Sequence, residues 1–92
     1  DIKKIKEKGS NGVAVTIAWI IESVREVITK KNERMAFLKV SDLGGSIEVV
    51  AFPSVYKTSE QILKAEKCIA FSGKISVRNE EKTIIMDAVK EV

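Results

Sequence analysis

Histidine is absent from this chain of 92 residues, and cysteine occurs once, at Cys68. One thiol cannot close an internal disulfide, and without imidazole or a thiolate cluster the usual zinc and iron donor sets are missing. These two absences point to a reducing, cytoplasmic setting and to a protein that holds no metal and no other cofactor. No apolar run approaches the roughly 20 residues that span a bilayer, and no charged-then-apolar leader opens the chain. No membrane partner is expected. Catalytic signatures are missing as well: there is no glycine-rich phosphate loop, no histidine base and no acidic cluster spaced for two-metal phosphoryl transfer. Asp42 and Asp87 are single carboxylates, and Cys68 has no base near it in sequence, so it reads as a small hydrophobe. Neither catalysis nor a small-molecule substrate is implied.

What the chain does have is a 45% apolar fraction and 32% charged residues of mixed sign. That composition suits one globular domain with a single core. The net charge of +3 and pI of about 9.1 favour a phosphate-rich partner without identifying one. The chain opens at Asp1 rather than at a methionine, which leads us to expect a piece cut from a longer protein.

Residues 1–12 are charged and end in Gly-Ser-Asn-Gly, so they read as an arm or linker remnant, with the domain proper at 13–92. From Val13 to Ile28 the Val, Ile, Thr and Trp content predicts a long strand, and a strand of that length is expected to bend and serve two sheets. Thr29 to Arg34 is a polar, basic break with Asn32 able to take positive φ, hence a hairpin loop. Met35 to Ser41 alternates, with Ala36, Leu38 and Val40 on the core side and Met35, Phe37, Lys39 and Ser41 on the other. A turn over Asp42 to Gly45 leads into a third strand, Ser46 to Phe52. Pro53 stops the sheet, and Val55, Tyr56, Ile62 and Leu63 have helical spacing. Cys68 to Arg78 and Lys82 to Val89 supply two further strands around a turn at Asn79 to Glu81. This order of three strands, one helix and two strands is that of the OB-fold. The fold class expected is therefore all-β with one helix, a five-stranded Greek-key barrel that binds oligonucleotides or oligosaccharides across its second and third strands.

Three stretches carry a closer likeness: Thr29 to Phe37, Asp42 to Pro53 and Phe71 to Ile75. They resemble the OB domain of bacterial DNA polymerase III alpha subunits, whose pattern is a T-K-x-G-x-x-M-A-F loop and strand, a D-x-x-G-x-I-E-V-V-x-F-P hairpin and a late G-K-V. The chain departs from that pattern at Trp19 and Asn32, where the family usually has glycine. More distantly, Phe37 to Asp42 is similar to the F-x-x-L/V-x-D motif of the anticodon-binding OB domains of class II aminoacyl-tRNA synthetases, in which the phenylalanine stacks on a base.

The resemblance implies a non-catalytic module that holds single-stranded DNA template for a replicative polymerase. A module docking a clamp, clamp loader or neighbouring polymerase domain, and an RNA-binding domain of the synthetase type, remain open beside it. Binding a single strand needs π-faces for bases and cations for phosphates. Phe37 and Lys39 supply one of each on the second strand. Lys30, Lys31 and Arg34 in the first hairpin loop, Arg25 near the end of the first strand, and Lys74 and Arg78 on the fourth are expected to extend a positive track. Glu48 is expected near the same face, accepting from a base amino group. Trp19, Phe52, Tyr56 and Phe71 are assigned to packing.

Overall fold

In a computed structural model, five strands and one helix follow in the order β1 (Ala14–Ile28), β2 (Arg34–Asp42), β3 (Gly45–Ala51), α1 (Pro53–Ser59), β4 (Cys68–Arg78) and β5 (Glu81–Glu91). The structure describes Ile2 and residues 10–42 and 44–92. The turn residue Leu43 and most of the expected arm lie outside the described residues. The strands close into a barrel in the order β1-β2-β3-β5-β4, which is the OB architecture.

Closure depends on β1 changing partner along its length. Its first half pairs with β4, from Ala14↔Lys74 to Ile20↔Cys68, and its second half with β2, from Ile20↔Ser41 to Ile28↔Arg34. Between Ile21↔Val40 and Ser23↔Lys39 the extra residue Glu22 forms a β-bulge, which bends and twists the strand. The bend thus needs no glycine at Trp19. That ring instead sets itself edge-on to Phe71, with centroids 6.1 Å apart at 72°.

Two hairpins take the geometry that their residues permit. Asn32 adopts φ 63°, and the loop is held by the Thr29 amide donating to the Glu33 carbonyl at 2.8 Å and the Glu33 amide donating to Thr29 Oγ1 at 3.2 Å. Asn79 and Glu80 both have positive φ, 49° and 67°, as a two-residue type I′ turn requires. Between β3 and β5 the pairing is parallel and short: Glu48↔Thr83, Val49↔Ile84 and Val50↔Ile85.

The inward positions form one core. Ala36, Leu38 and Val40 face Ile47, Val49 and Ala51, with Ile69, Phe71, Ile84 and Met86 completing it. Each fully buried Leu, Ile, Val, Met or Phe contributes about 1.5–3 kcal/mol. Gly73 stands where β5 passes closest to β4: a Cβ there would strike the Ile85 carbonyl oxygen and come within 2.8 Å of Ile84 Cγ2. The β4–β5 register shifts at the same place, from Ser72↔Ala88 to Gly73↔Met86.

The barrel's two ends are closed differently. At one, α1 and the turn after it bring in Tyr56 and Leu63, both buried. The Tyr56 hydroxyl donates to Glu26 Oε2 at 2.6 Å; burial, reinforced by that carboxylate, pushes its pKa up to about 12. At the other end Ile2 is fully buried and its amide donates to Asp42 Oδ2 at 3.0 Å. That amide, above all, holds the Asp42 carboxyl below its ordinary pKa. The amide of Gly44 donates to Asp42 Oδ1 at 2.7 Å, closing an Asx-type turn. One residue of the expected arm is therefore part of the core.

The strand boundaries follow the sequence pattern to within two residues, and the helix is shorter than its apolar spacing suggests. It ends at Ser59, and Ile62 and Leu63 donate their amides to the Ser59 carbonyl at 3.0 and 3.2 Å in a turn. Phe71 and Tyr56 are buried as expected, but Phe52 is not: 44% of it is exposed. It continues the outward alternation of Glu48 and Val50 rather than turning in under the helix.

Candidate nucleic-acid interface

Outward positions of β2 and β3 meet those of the β4–β5 hairpin along one side of the barrel. Phe37 projects from the middle of β2 and is paired across the ladders with Arg25 of β1 and Val50 of β3. The Arg25 guanidinium lies over the Phe37 ring, 4.6 Å from its centroid. Such a contact at an exposed site contributes about 0.5–1 kcal/mol. It also fixes a cation beside an accessible aromatic face.

Two grooves run from this ring. The larger, about 720 Å³, is lined by Arg25, Phe37, Lys39, Glu48, Lys82 and Thr83, among others. The smaller, about 350 Å³, is lined by Met35, Phe37, Val50, Phe52, Arg78 and Ile85, with Glu48 and Thr83 again on its wall. Phe37, Glu48, Glu81 and Thr83 are common to both, so they form one continuous channel across the β3–β5 seam.

The expected cations divide into three groups. Arg25, Lys39 and Arg78 line the channel, with Lys39 within 3.7 Å of Glu22 in an exposed pair. Lys30 and Lys31 are exposed at the hairpin tip beyond β1 and β2. Arg34 and Lys74 do not join the track. Arg34 begins β2 on the same side as Ala36 and Leu38, which aims it at the helix end of the barrel. There its guanidinium makes a bidentate pair with Glu60, at 2.8 and 2.7 Å, and lies 3.8 Å from Glu26. Lys74 is exposed but pairs with Ala14 and Ile85. It sits four residues from Arg78, roughly 13 Å along an extended strand, and lines neither groove.

Carboxylates also line the channel. Glu48 stands opposite Lys39 and beside Thr83, with Glu80 and Glu81 at the hairpin. Among the described residues, four cations, Lys82 with Arg25, Lys39 and Arg78, thus share the channel with three anions, so the surface is mixed rather than a positive stripe. Among the described residues, no three of His, Cys, Asp and Glu are grouped to hold a metal ion, and no helix is long and apolar enough to cross a membrane.

The family model described as the OB-fold nucleic acid binding domain matches residues 15–92. This chain belongs to that family. Its OB-fold domain is 35% identical over 83 residues to the DNA polymerase III subunit alpha of Halalkalibacterium halodurans, a match covering 89% of this chain and 7% of that protein. The chain therefore corresponds to a small part of that relative's length. Among solved structures, the SSB domain of a Synechococcus sp. protein superposes with a TM-score of 0.74 at 14% identity, covering 89% of this chain and 96% of that one. A replication protein A heterotrimer bound to ssDNA gives 0.70 at 14% identity, covering 91% and 61%. At such identities the structural likeness speaks for the fold.

Within this OB-fold domain, sequence reasoning missed Phe52, Lys82, Thr83 and the acidic hairpin pair as channel residues. The alternation of β3 carried one step further, to Phe52, was the available signal for the first. The seam between β3 and β5 that brings in Thr83 has no local signal at all.

Proposed function

We propose that this chain is the single-stranded-DNA-binding module of a bacterial replicative polymerase III alpha subunit, positioning template and performing no chemistry of its own. Residues 13–92 form the module, with Ile2 packed into its core, and polymerisation belongs to the rest of the parent protein in the cytoplasm. The observation that carries this reading is Phe37 with Arg25 over its ring, at the centre of an open channel. A base stacks on the free ring face while Arg25, Lys39 and Arg78 meet phosphates. The likeness to a polymerase III alpha subunit and to a structure holding ssDNA supports it.

The mixed charge of the channel argues for weak, salt-sensitive binding. Fluorescence anisotropy with an oligo(dT) across a salt series should give a slope of log K against log salt of roughly −2, from about three phosphates at −0.7 each. Absence of binding at low salt would favour a docking module for another polymerase domain or a clamp. Tighter binding to oligo(U) than to oligo(dU) of equal length, a pair that differs only in the 2′-hydroxyl, would favour the synthetase-like reading.

A further inference from the structure

We infer that Phe52 is a second base platform, so that the channel seats two successive unstacked bases, one on Phe37 and one on Phe52. This rests on the single-strand reading above and extends it to a residue outside the expected track.

Packing against Met35, Val50 and Ile85 accounts for only part of the ring at this position. Phe52 leaves 44% of its surface in water. The helix start does not need it either: Pro53 fills the first helical position, and the apolar pair that clamps such a start is Ala51 with Tyr56, both buried. The backbone at Phe52 is nonetheless pinned. Its φ and ψ are −65° and 164°, its carbonyl accepts from the amides of Val55 at 3.0 Å and Tyr56 at 2.9 Å, and the following proline restricts it further. A ring on a fixed root, with two side-chain torsions left, loses little entropy on taking a ligand.

Its position relative to Phe37 suits a nucleic-acid strand. Phe37 pairs with Val50 and Ala36 with Ala51, so Phe52 lies diagonally from Phe37 on the same outward face. Diagonal neighbours stand roughly 7–8 Å apart. Bases stacked on each other rise only about 3.4 Å along a strand, so two bases on these rings must be splayed, each on its own platform. Both rings line the groove of about 350 Å³, floored by Met35, Val50 and Ile85. Arg25 flanks the first ring and Arg78 lines the groove with the second, leaving a cation for the phosphates at each end. The ligand class is two adjacent nucleobases of any identity, since every base offers a π-face.

The test uses the 92-residue chain with a 5′-labelled oligo(dT) of about 12 nucleotides, within the range of OB site sizes, and the variants Phe52→Ala, Phe52→Leu and Phe52→Trp beside Phe37→Ala. Phe52→Ala and Phe52→Leu should each weaken binding about fivefold or more, with Phe52→Trp binding as tightly as the parent or tighter. Leucine keeps apolar cover but has no π-face, so parent-like affinity in Phe52→Leu overturns the platform even where alanine weakens binding. Should Phe52→Ala fail to fold, the leucine and tryptophan variants decide. A parent chain that binds no oligonucleotide overturns the single-strand reading and this inference together. A parent that binds and loses affinity on Phe37→Ala, yet is indifferent to every change at Phe52, overturns the second platform alone.

Discussion

Replacing Phe37 with alanine separates a ligand platform from a structural ring, because the two roles predict different quantities. The ring is partly buried on the outward face of β2, so its removal forfeits roughly half of the ~1.5–3 kcal/mol that full burial of such a side chain contributes. The Arg25 contact at 4.6 Å adds about 0.5–1 kcal/mol. Together these lower stability by about 1.3–2.5 kcal/mol, and at about 4–8 °C per kcal/mol for a domain of this size the melting temperature should fall by roughly 5–20 °C. Loss of one base stack costs about 1–3 kcal/mol of binding, which is about five- to a hundredfold in Kd. The assay is oligo(dT) anisotropy well below the melting temperature, paired with thermal unfolding by circular dichroism. Arg25→Ala and the double variant complete a cycle, and the double variant should lose less affinity than the sum of the singles because ring and guanidinium are in contact and each helps to hold the other in place. An affinity within twofold of the parent, with a stability loss in the ~3–5 kcal/mol range of a core Phe→Ala change, would refute the reasoning and turn Phe37 into a packing residue.

Four further outcomes follow from the fold. Gly73→Ala should cost at least about 1–3 kcal/mol, seen as a large fall in denaturant midpoint, because the new methyl meets the fixed backbone of Ile85; parent-like stability would mean that β5 does not pass so close. Glu80→Gly should raise the melting temperature by a few degrees, since a non-glycine residue at φ 67° carries roughly 1 kcal/mol of strain, partly offset by glycine's greater freedom when unfolded; an unchanged or lower value contradicts the type I′ turn. Arg34→Ala should lower the melting temperature slightly and leave oligonucleotide affinity unchanged, whereas Lys39→Ala should weaken binding and reduce the salt slope by about 0.7; equal effects on affinity would restore Arg34 to the binding track. The Tyr56 pKa, raised to about 12 from 10, means that the folded state holds its proton more tightly than the unfolded state. Its contribution is therefore complete below pH 10 and lost as pH rises toward 12, and Tyr56→Phe should flatten that alkaline decline in urea midpoints; an equal slope in the phenylalanine variant would exclude the tyrosine as its source.

Strand order, the hairpin at Asn32 and the outward position of Phe37 were legible because each depends on local chemistry: a period of two, a residue tolerant of positive φ, a proline that ends a ladder. The Phe37 to Val40 stretch alone fixes which side of β2 is wet. What was not legible depends on partners distant in sequence. Arg34 looks like one more loop cation until the helix brings Glu60 to it, 26 residues on. Lys74 and Arg78 share a parity, yet only pairing partners determine which of them reaches the channel. Ile2 reads as part of a charged arm, and its burial depends on Asp42, 40 residues away. The carboxylates of the channel were individually visible, but their gathering opposite the cations is a property of barrel closure.

That closure has a weak place. The β3–β5 ladder is three pairs long, whereas β1 with β2 and β4 with β5 are local hairpins with far longer registers. The channel lies across that short ladder, with Phe37, Glu48 and Phe52 on one bank and Arg78, Glu81 and Thr83 on the other. A strand bound there bridges the two banks, and a barrel that parts at this seam loses its site at once. Occupancy and seam integrity are therefore linked: ligand that binds only the closed form must protect the amides of residues 48–50 and 83–85 from exchange, by an amount set by its concentration over its dissociation constant. On the single-strand reading, a change anywhere in the barrel that parts β5 from β3 weakens binding even where it leaves every channel side chain in place.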